Sequence, residues 1–182
     1  MALGYVEELA LRYFEKKGYL ISSNIRFQLK KEWTGKKVAG WSDIDMIALK
    51  THELIIIQCK SFIGTKKSEK IADDIINWFQ YVERFLKEDN IWNQWLKGRE
   101  IKRYLIVDYP PTKKAEEILR KNGIGILHYR DLLTELLDIL KLKLSKLGKG
   151  RIGGEDDVII RFLYALIDKK MLNPEIFKNS RE

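Results

Sequence analysis

Ser42-Asp43-Ile44-Asp45-Met46-Ile47-Ala48-Leu49, a turn at Thr51-His52, then Leu54-Ile55-Ile56-Ile57-Gln58-Cys59-Lys60 is the stretch that decides the fold. Two aliphatic, β-branched runs on either side of a short polar turn read as a β-hairpin. Side chains alternate across a strand, so Asp43 and Asp45 share one face, as do Gln58 and Lys60. A loop centred on Thr51-His52 pairs residues whose numbers sum to 103. That register sets Asp45 opposite Gln58 and Asp43 opposite Lys60, with Cβ atoms about 4.5–5.5 Å apart. A loop one residue longer breaks the match. Ile55-Ile56-Ile57 is the continuous apolar run of a central strand covered on both faces. The polar residues at its end fit a solvated strand end with a fortuitous ion pair. They also fit a built site, because charges beside a buried strand are costly unless paired or metal-bound.

Outward from the hairpin, the chain reads as alternating helices and strands. Val6, Leu9, Ala10, Tyr13 and Phe14 recur with helical spacing, and Gly18 sits where a helix ends in the left-handed conformation. Leu20 to Leu29 reads as a strand, followed by a polar, basic loop from Lys30 to Gly40. After the hairpin come a helix from Ser68 to about Leu86, with Ile91 to Leu96 extending it or forming a separate turn, and an apolar strand from Ile101 to Val107. Thr112 caps a helix running to Lys121, Ile124 to Leu127 is a short strand, and Leu132 to Leu147 is a further helix. The order α-β-β-β-α-β-α-β predicts an α/β fold, a mixed sheet flanked by helices. Gly148, Gly150, Gly153 and Gly154 form a joint before a last helix at about Asp156 to Met171. The expected division is a core domain over residues 1–130 and a helical C-terminal region over 131–182, its end from about 150 a small appendage.

Bulk properties narrow the function. Hydrophobic residues are 45% and charged residues 33% of 182, the balance of a globular chain rather than a disordered one. The amphipathic start carries Glu7 and Glu8 and lacks the basic and apolar regions of a signal peptide. No apolar run approaches the roughly 20 residues of a membrane span. Cys59, the single cysteine, has no partner for an intramolecular disulfide and suits a reducing interior, so a cytoplasmic protein is expected. The net charge is +8, of which +7 lies before Asp131, in the part that holds the hairpin. A polyanionic partner is favoured, with no membrane partner.

Hard oxygen ligands hold Mg²⁺ or Mn²⁺, which polarise a phosphodiester and lower the pKa of a bound water. Asp45 offers a carboxylate, Gln58 an amide oxygen, and Cys59 a backbone carbonyl. Lys60 would orient the attacking water or stabilise charge on phosphorus. Asp45, the hydrophobic hairpin and Gln58-Cys59-Lys60 resemble the PD-(D/E)xK nuclease superfamily, in the QxK form of the Mrr-type restriction endonuclease-like family. Glu7-Glu8-Leu9-Ala10, Phe14 and Gly18-Tyr19 resemble the leading helix of these nucleases and of archaeal Holliday-junction resolvases. Ile106-Val107, Ala115, Gly123-Ile124 and Leu132-Leu133 are similar to the Mrr-type trailing elements, so the resemblance spans about 130 residues.

The resemblance implies a restriction-endonuclease-like core and a Mg²⁺- or Mn²⁺-dependent DNA endonuclease. Asp45, rather than the flanking Asp43, takes the catalytic aspartate position, and Gln58 replaces the usual acid, removing a negative charge that would bind metal. Glu7 borders the apolar stripe of the first helix and is the acid that can face the sheet, where the resemblance places a metal-linked or water-linked acid. Glu8, four residues before Arg12, reads as a surface pair. Lys66, Lys67 and Lys70 just after the hairpin, and Lys30, Lys31, Lys36 and Lys37 around Trp33, are the candidate phosphate contacts. Rival expectations are a DNA-binding module on the same scaffold with little catalysis, and a Holliday-junction resolvase acting as a homodimer.

Overall fold

A computed structural model describes residues 4–35, 37–60, 68–109, 111–147 and 157–169. The described elements run α1 (Tyr5–Lys16), β1 (Leu20–Leu29), α2 (Lys31–Thr34), β2 (Gly40–Leu49), β3 (Glu53–Lys60), α3 (Ser68–Glu88), α4 (Trp92–Leu96), β4 (Glu100–Val107), α5 (Lys113–Lys121), β5 (Ile124–His128), α6 (Tyr129–Leu147) and α7 (Val158–Asp168). The expected α-β-β-β-α-β-α-β order is present, with α2 and α4 as short insertions. α2 lies inside what the sequence reads as a loop. Lys36, Lys66, Lys67 and the glycine-rich joint fall outside the described residues. Among those described, no helix is long and apolar enough to cross a membrane.

The five strands form one mixed sheet in the order β1-β2-β3-β4-β5, antiparallel from β1 to β3 and parallel from β3 to β5. β3 is therefore central, and Leu54 through Ile57 are at most 2% exposed, as the apolar run requires. One face of the sheet carries α1, α6 and α7, closing on Met46, Ala48, Ile55, Ile57, Cys59 and Ile106. The other carries α3 and α5, closing on Phe27, Ile44, Ile47, Leu54, Ile56, Leu105 and Val107. Ile160 and Leu163 of α7 share the first core with Leu136, Leu137 and Leu140 of α6 and Val6 of α1. Asp157, which caps α7 through the Ile160 N–H, also lies 2.7 Å from the Arg12 guanidinium of α1.

Two strands break their alternation at one point. On β2, Met46 and Ala48 face α1, yet Ile44 faces α3 together with Ile47. On β1, Ile21 packs on the α1 side, whereas Ile25, Phe27 and Leu29 pack on the α3 side. Between them Asn24 adopts φ +55°, and it falls opposite Asp45, flanked by the pairs Ser23–Met46 and Ile25–Ile44. A left-handed residue inverts the pleat, and asparagine is among the few residues that tolerate this conformation. Asn24→Gly is expected to leave stability within a few tenths of a kcal/mol, whereas Asn24→Val should cost about 1–2 kcal/mol in urea unfolding.

Candidate active site

The β2–β3 ladder keeps the register expected of a turn at Thr51-His52, pairing Leu49 with Leu54 and Met46 with Ile57. It ends there. β2 continues against β1 as far as Gly40, while β3 continues against β4 as far as Lys60, so the strands fork at Asp45. The expected facing pairs Asp45–Gln58 and Asp43–Lys60 are consequently not made, and Asp43 lies opposite Arg26 on β1 instead. The reason is the inverted pleat at Asn24 and Asp45, which removes β2 from the plane that would continue the ladder. Alternation also fails as a guide to Asp45, whose neighbours Ile44 and Met46 face opposite sides of the sheet.

Asp45 fills the fork. Its Oδ2 accepts a hydrogen bond of 2.7 Å from the Cys59 backbone N–H. A strand N–H points along the sheet toward the neighbouring strand, so the carboxylate occupies the place of the missing β2 carbonyl. From there it is reached from both sides. Burial pushes its pKa up from the ordinary aspartate value to about 6; the Cys59 N–H and the charge of Lys60 oppose that rise, and Glu7 and Asp43 add to it. Burial likewise holds the Cys59 thiol protonated, which removes it as a nucleophile.

Gln58 is 6% exposed, and among the described residues its Oε1 has no hydrogen-bond partner. An orphaned buried amide oxygen costs roughly 1–3 kcal/mol. By alternation with Ile56 and Cys59, Gln58 and exposed Lys60 lie on the α3 side of the strand. Glu7 approaches from the α1 side, where its Oε2 accepts from the Gly4 N–H at 2.9 Å and so caps the helix. Glu8 takes the surface role expected of it, 2.7 Å from Arg12.

Glu7, Asp43 and Lys60 thus all act on the charge of Asp45, with Gln58 next to Cys59 in the chain. No group of three Asp, Glu, His or Cys side chains able to hold a metal stands among the described residues. The expected ligands are not gathered on one face: Glu7 acts on Asp45 from the α1 side while Gln58 lies on the α3 side, so a divalent cation would draw on all three only from within the fork. The unpartnered Gln58 oxygen and the desolvated carboxylate fit that role.

The rim of the site escapes sequence reading. Tyr5 at the start of α1 donates a hydrogen bond to the Asp108 carboxylate just after β4, and its ring meets Tyr129 edge-on at 5.4 Å. The bond to Asp108 raises the Tyr5 pKa to about 12. The Asp108 N–H in turn donates to the Lys60 carbonyl at 3.3 Å. Asp108 and Tyr129 follow the carboxyl ends of parallel strands, the edge at which open α/β sheets bind ligands. Nothing in the spacing of Tyr5, Asp108 and Tyr129 marks them, since they join only through the crossovers.

The basic candidates divide. Lys30 is engaged with Glu88 and lies 5.3 Å from the Trp33 ring centre, so it is not held out for phosphate. Lys31, Lys37 and Lys70 are exposed.

No protein-family model matches the chain, and no curated protein matches its sequence. Among solved structures, the protein of unknown function AF1548 shares the fold, with a TM-score of 0.50 at 15% identity over 94% of this chain and 90% of that one. Protein VC1899 from Vibrio cholerae gives 0.44 at 12% identity, over 77% of this chain and 32% of that one. The small subunit of the heterodimeric restriction endonuclease R.BspD6I gives 0.45 at 18% identity, over 96% and 84%.

A raised aspartate pKa favours the folded state while the group is protonated, and that advantage is lost as the pH climbs from about 4 through 6. Asp45→Asn keeps an acceptor for the Cys59 N–H and removes the charge. It should stabilise the fold by about 1–3 kcal/mol at pH 8 and by almost nothing below pH 4, measured by urea unfolding across that range.

Proposed function

We propose that the protein is a metal-dependent nuclease that hydrolyses phosphodiester bonds in DNA, on a restriction-endonuclease-like scaffold of the Mrr type. The observation that carries this reading is a desolvated carboxylate held in a strand fork beside a buried amide oxygen without a partner among the described residues, at Asp45 and Gln58. Both groups are disfavoured in an empty fold, and a divalent cation would satisfy both.

In this reading Asp45, Gln58 and Glu7 hold Mg²⁺ or Mn²⁺, which when bound polarises the phosphate and acidifies a water. Cys59 fixes the Asp45 carboxylate by its backbone N–H, leaving Oδ1 as the oxygen for the metal. Lys60 is exposed at the end of β3 and acts on the charge of Asp45. Its ammonium would orient the water or steady the charge that accumulates on the phosphate oxygens. Glu7 would give up part of its helix-capping role, since one of its oxygens is committed to the Gly4 N–H. The net charge of +8 favours a polyanionic substrate.

A second reading, a DNA-binding module with little catalysis, draws on two features. Gln58 is neutral where an acid would bind metal more tightly, and Glu7 is occupied within its own helix. Incubation with plasmid, linear duplex and four-way-junction DNA in Mg²⁺ or Mn²⁺ separates the readings. Cleavage is expected with either metal, none in EDTA, and a loss of at least 100-fold in both Asp45→Asn and Lys60→Ala. Gln58→Glu should lower the metal concentration needed. Cleavage that persists in both single variants would overturn the assignment. Metal-independent binding with no cleavage would favour the module, and selective cutting of the junction a resolvase.

A further inference from the structure

We propose that the outer face of the β1–β2 arm, centred on Arg26 and Trp41, binds an unpaired nucleic-acid strand leading into the site at Asp45. This rests on the nuclease reading above and names the substrate class: DNA with a single-stranded segment next to the bond to be cut.

Beyond the fork the arm has one covered face and one open face. Phe27 and Ile44 are buried against α3, whereas Arg26, Gln28, Trp41 and Asp43 on the opposite face are exposed. The inverted pleat at Asn24 and Asp45 turns this open face to the α1 side of the sheet, the side from which Glu7 approaches. It therefore runs directly into the site.

Trp41 is 60% exposed, a large apolar surface left in water. The Arg26 guanidinium lies 4.8 Å from its ring centre and makes no ion pair among the described residues, although Asp43 stands opposite on β2. A free cation poised on one face of an open indole is suited to a phosphate with its base stacked on the ring's other face. Bases inside a duplex stack on one another and do not offer that surface; unpaired bases do. The flanking Gln28 and Asp43 are polar, unlike the apolar centre of a protein–protein interface.

The spacing also fits. At about 3.3 Å per residue, Arg26, opposite Asp43, lies about 7 Å along the strand from Asp45, and Trp41 about 13 Å from it. That reach covers about four stacked nucleotides, or fewer in an extended strand.

The test measures binding of the full chain in EDTA by fluorescence anisotropy, with blunt duplex and the same duplex carrying a single-stranded tail. The wild type should prefer the tailed DNA. Trp41→Ala and Arg26→Ala should weaken tailed binding by about 5- to 150-fold and leave blunt binding within twofold. Trp41→Phe should restore most of the loss, and circular dichroism checks that each variant is folded. Absence of a tail preference, equal losses on both DNAs, or unchanged binding in Trp41→Ala would overturn the proposal. So would a change of sedimentation mass in Trp41→Ala, which would make the face a protein contact. Asp45-dependent cleavage that ignores the tail would remove this inference and leave the nuclease. Tail binding that needs Trp41, without cleavage, would do the reverse.

Discussion

The hydrogen bond from the Cys59 N–H to the Asp45 carboxylate is the contact on which the rest of the candidate site depends. Elsewhere in the sheet a strand N–H meets a carbonyl of its neighbour. At the fork the neighbour has turned away, and an orphaned N–H on a buried central strand would cost free energy comparable to a lost hydrogen bond. The side chain of Asp45 supplies the missing acceptor. It thereby joins the antiparallel half of the sheet to the parallel half and sets a carboxylate at a depth where it is expensive to ionise.

That expense links structure to function. The buried run of β3 continues to Cys59 with the polar Gln58 inside it, and only Lys60 stands where the strand leaves cover. Glu7 and Asp43 make matters worse for Asp45, while Lys60 and the Cys59 N–H relieve it. A sheet selected for stability alone would place neutral groups here. Like charges concentrated around one desolvated carboxylate, next to an unsatisfied amide, are what a site for a cation needs before the cation arrives.

The inverted pleat has a second consequence. If β1 and β2 had kept strict alternation, Arg26 and Trp41 would have faced α3 and Phe27 would have faced solvent. The reset at Asn24 lets the arm bury Phe27 and Ile44 on one side and present a polar, aromatic surface on the other. One left-handed residue thus governs both the position of Asp45 and the character of the face beside it.

Much of this was legible in the chain itself. Periodicity placed every strand and the long helices within a few residues, because core burial imposes a period of two or of 3.6 wherever an element is covered on one side. The turn at Thr51-His52 determined the register of the hairpin, and the apolar run Ile55-Ile56-Ile57 determined that β3 is central. Tertiary structure alone decided where that register stops. The β2–β3 ladder ends where the inverted pleat turns β2 away, while β1 stays paired with β2 beyond Asp45 and β4 with β3. Those contacts join residues far apart in the chain, as do Tyr5 with Asp108 and Glu7 with Asp45, and no local pattern encodes them. The sequence determined which residues of the hairpin are candidates for chemistry; the fork, where β2 and β3 part, decided how they stand to one another.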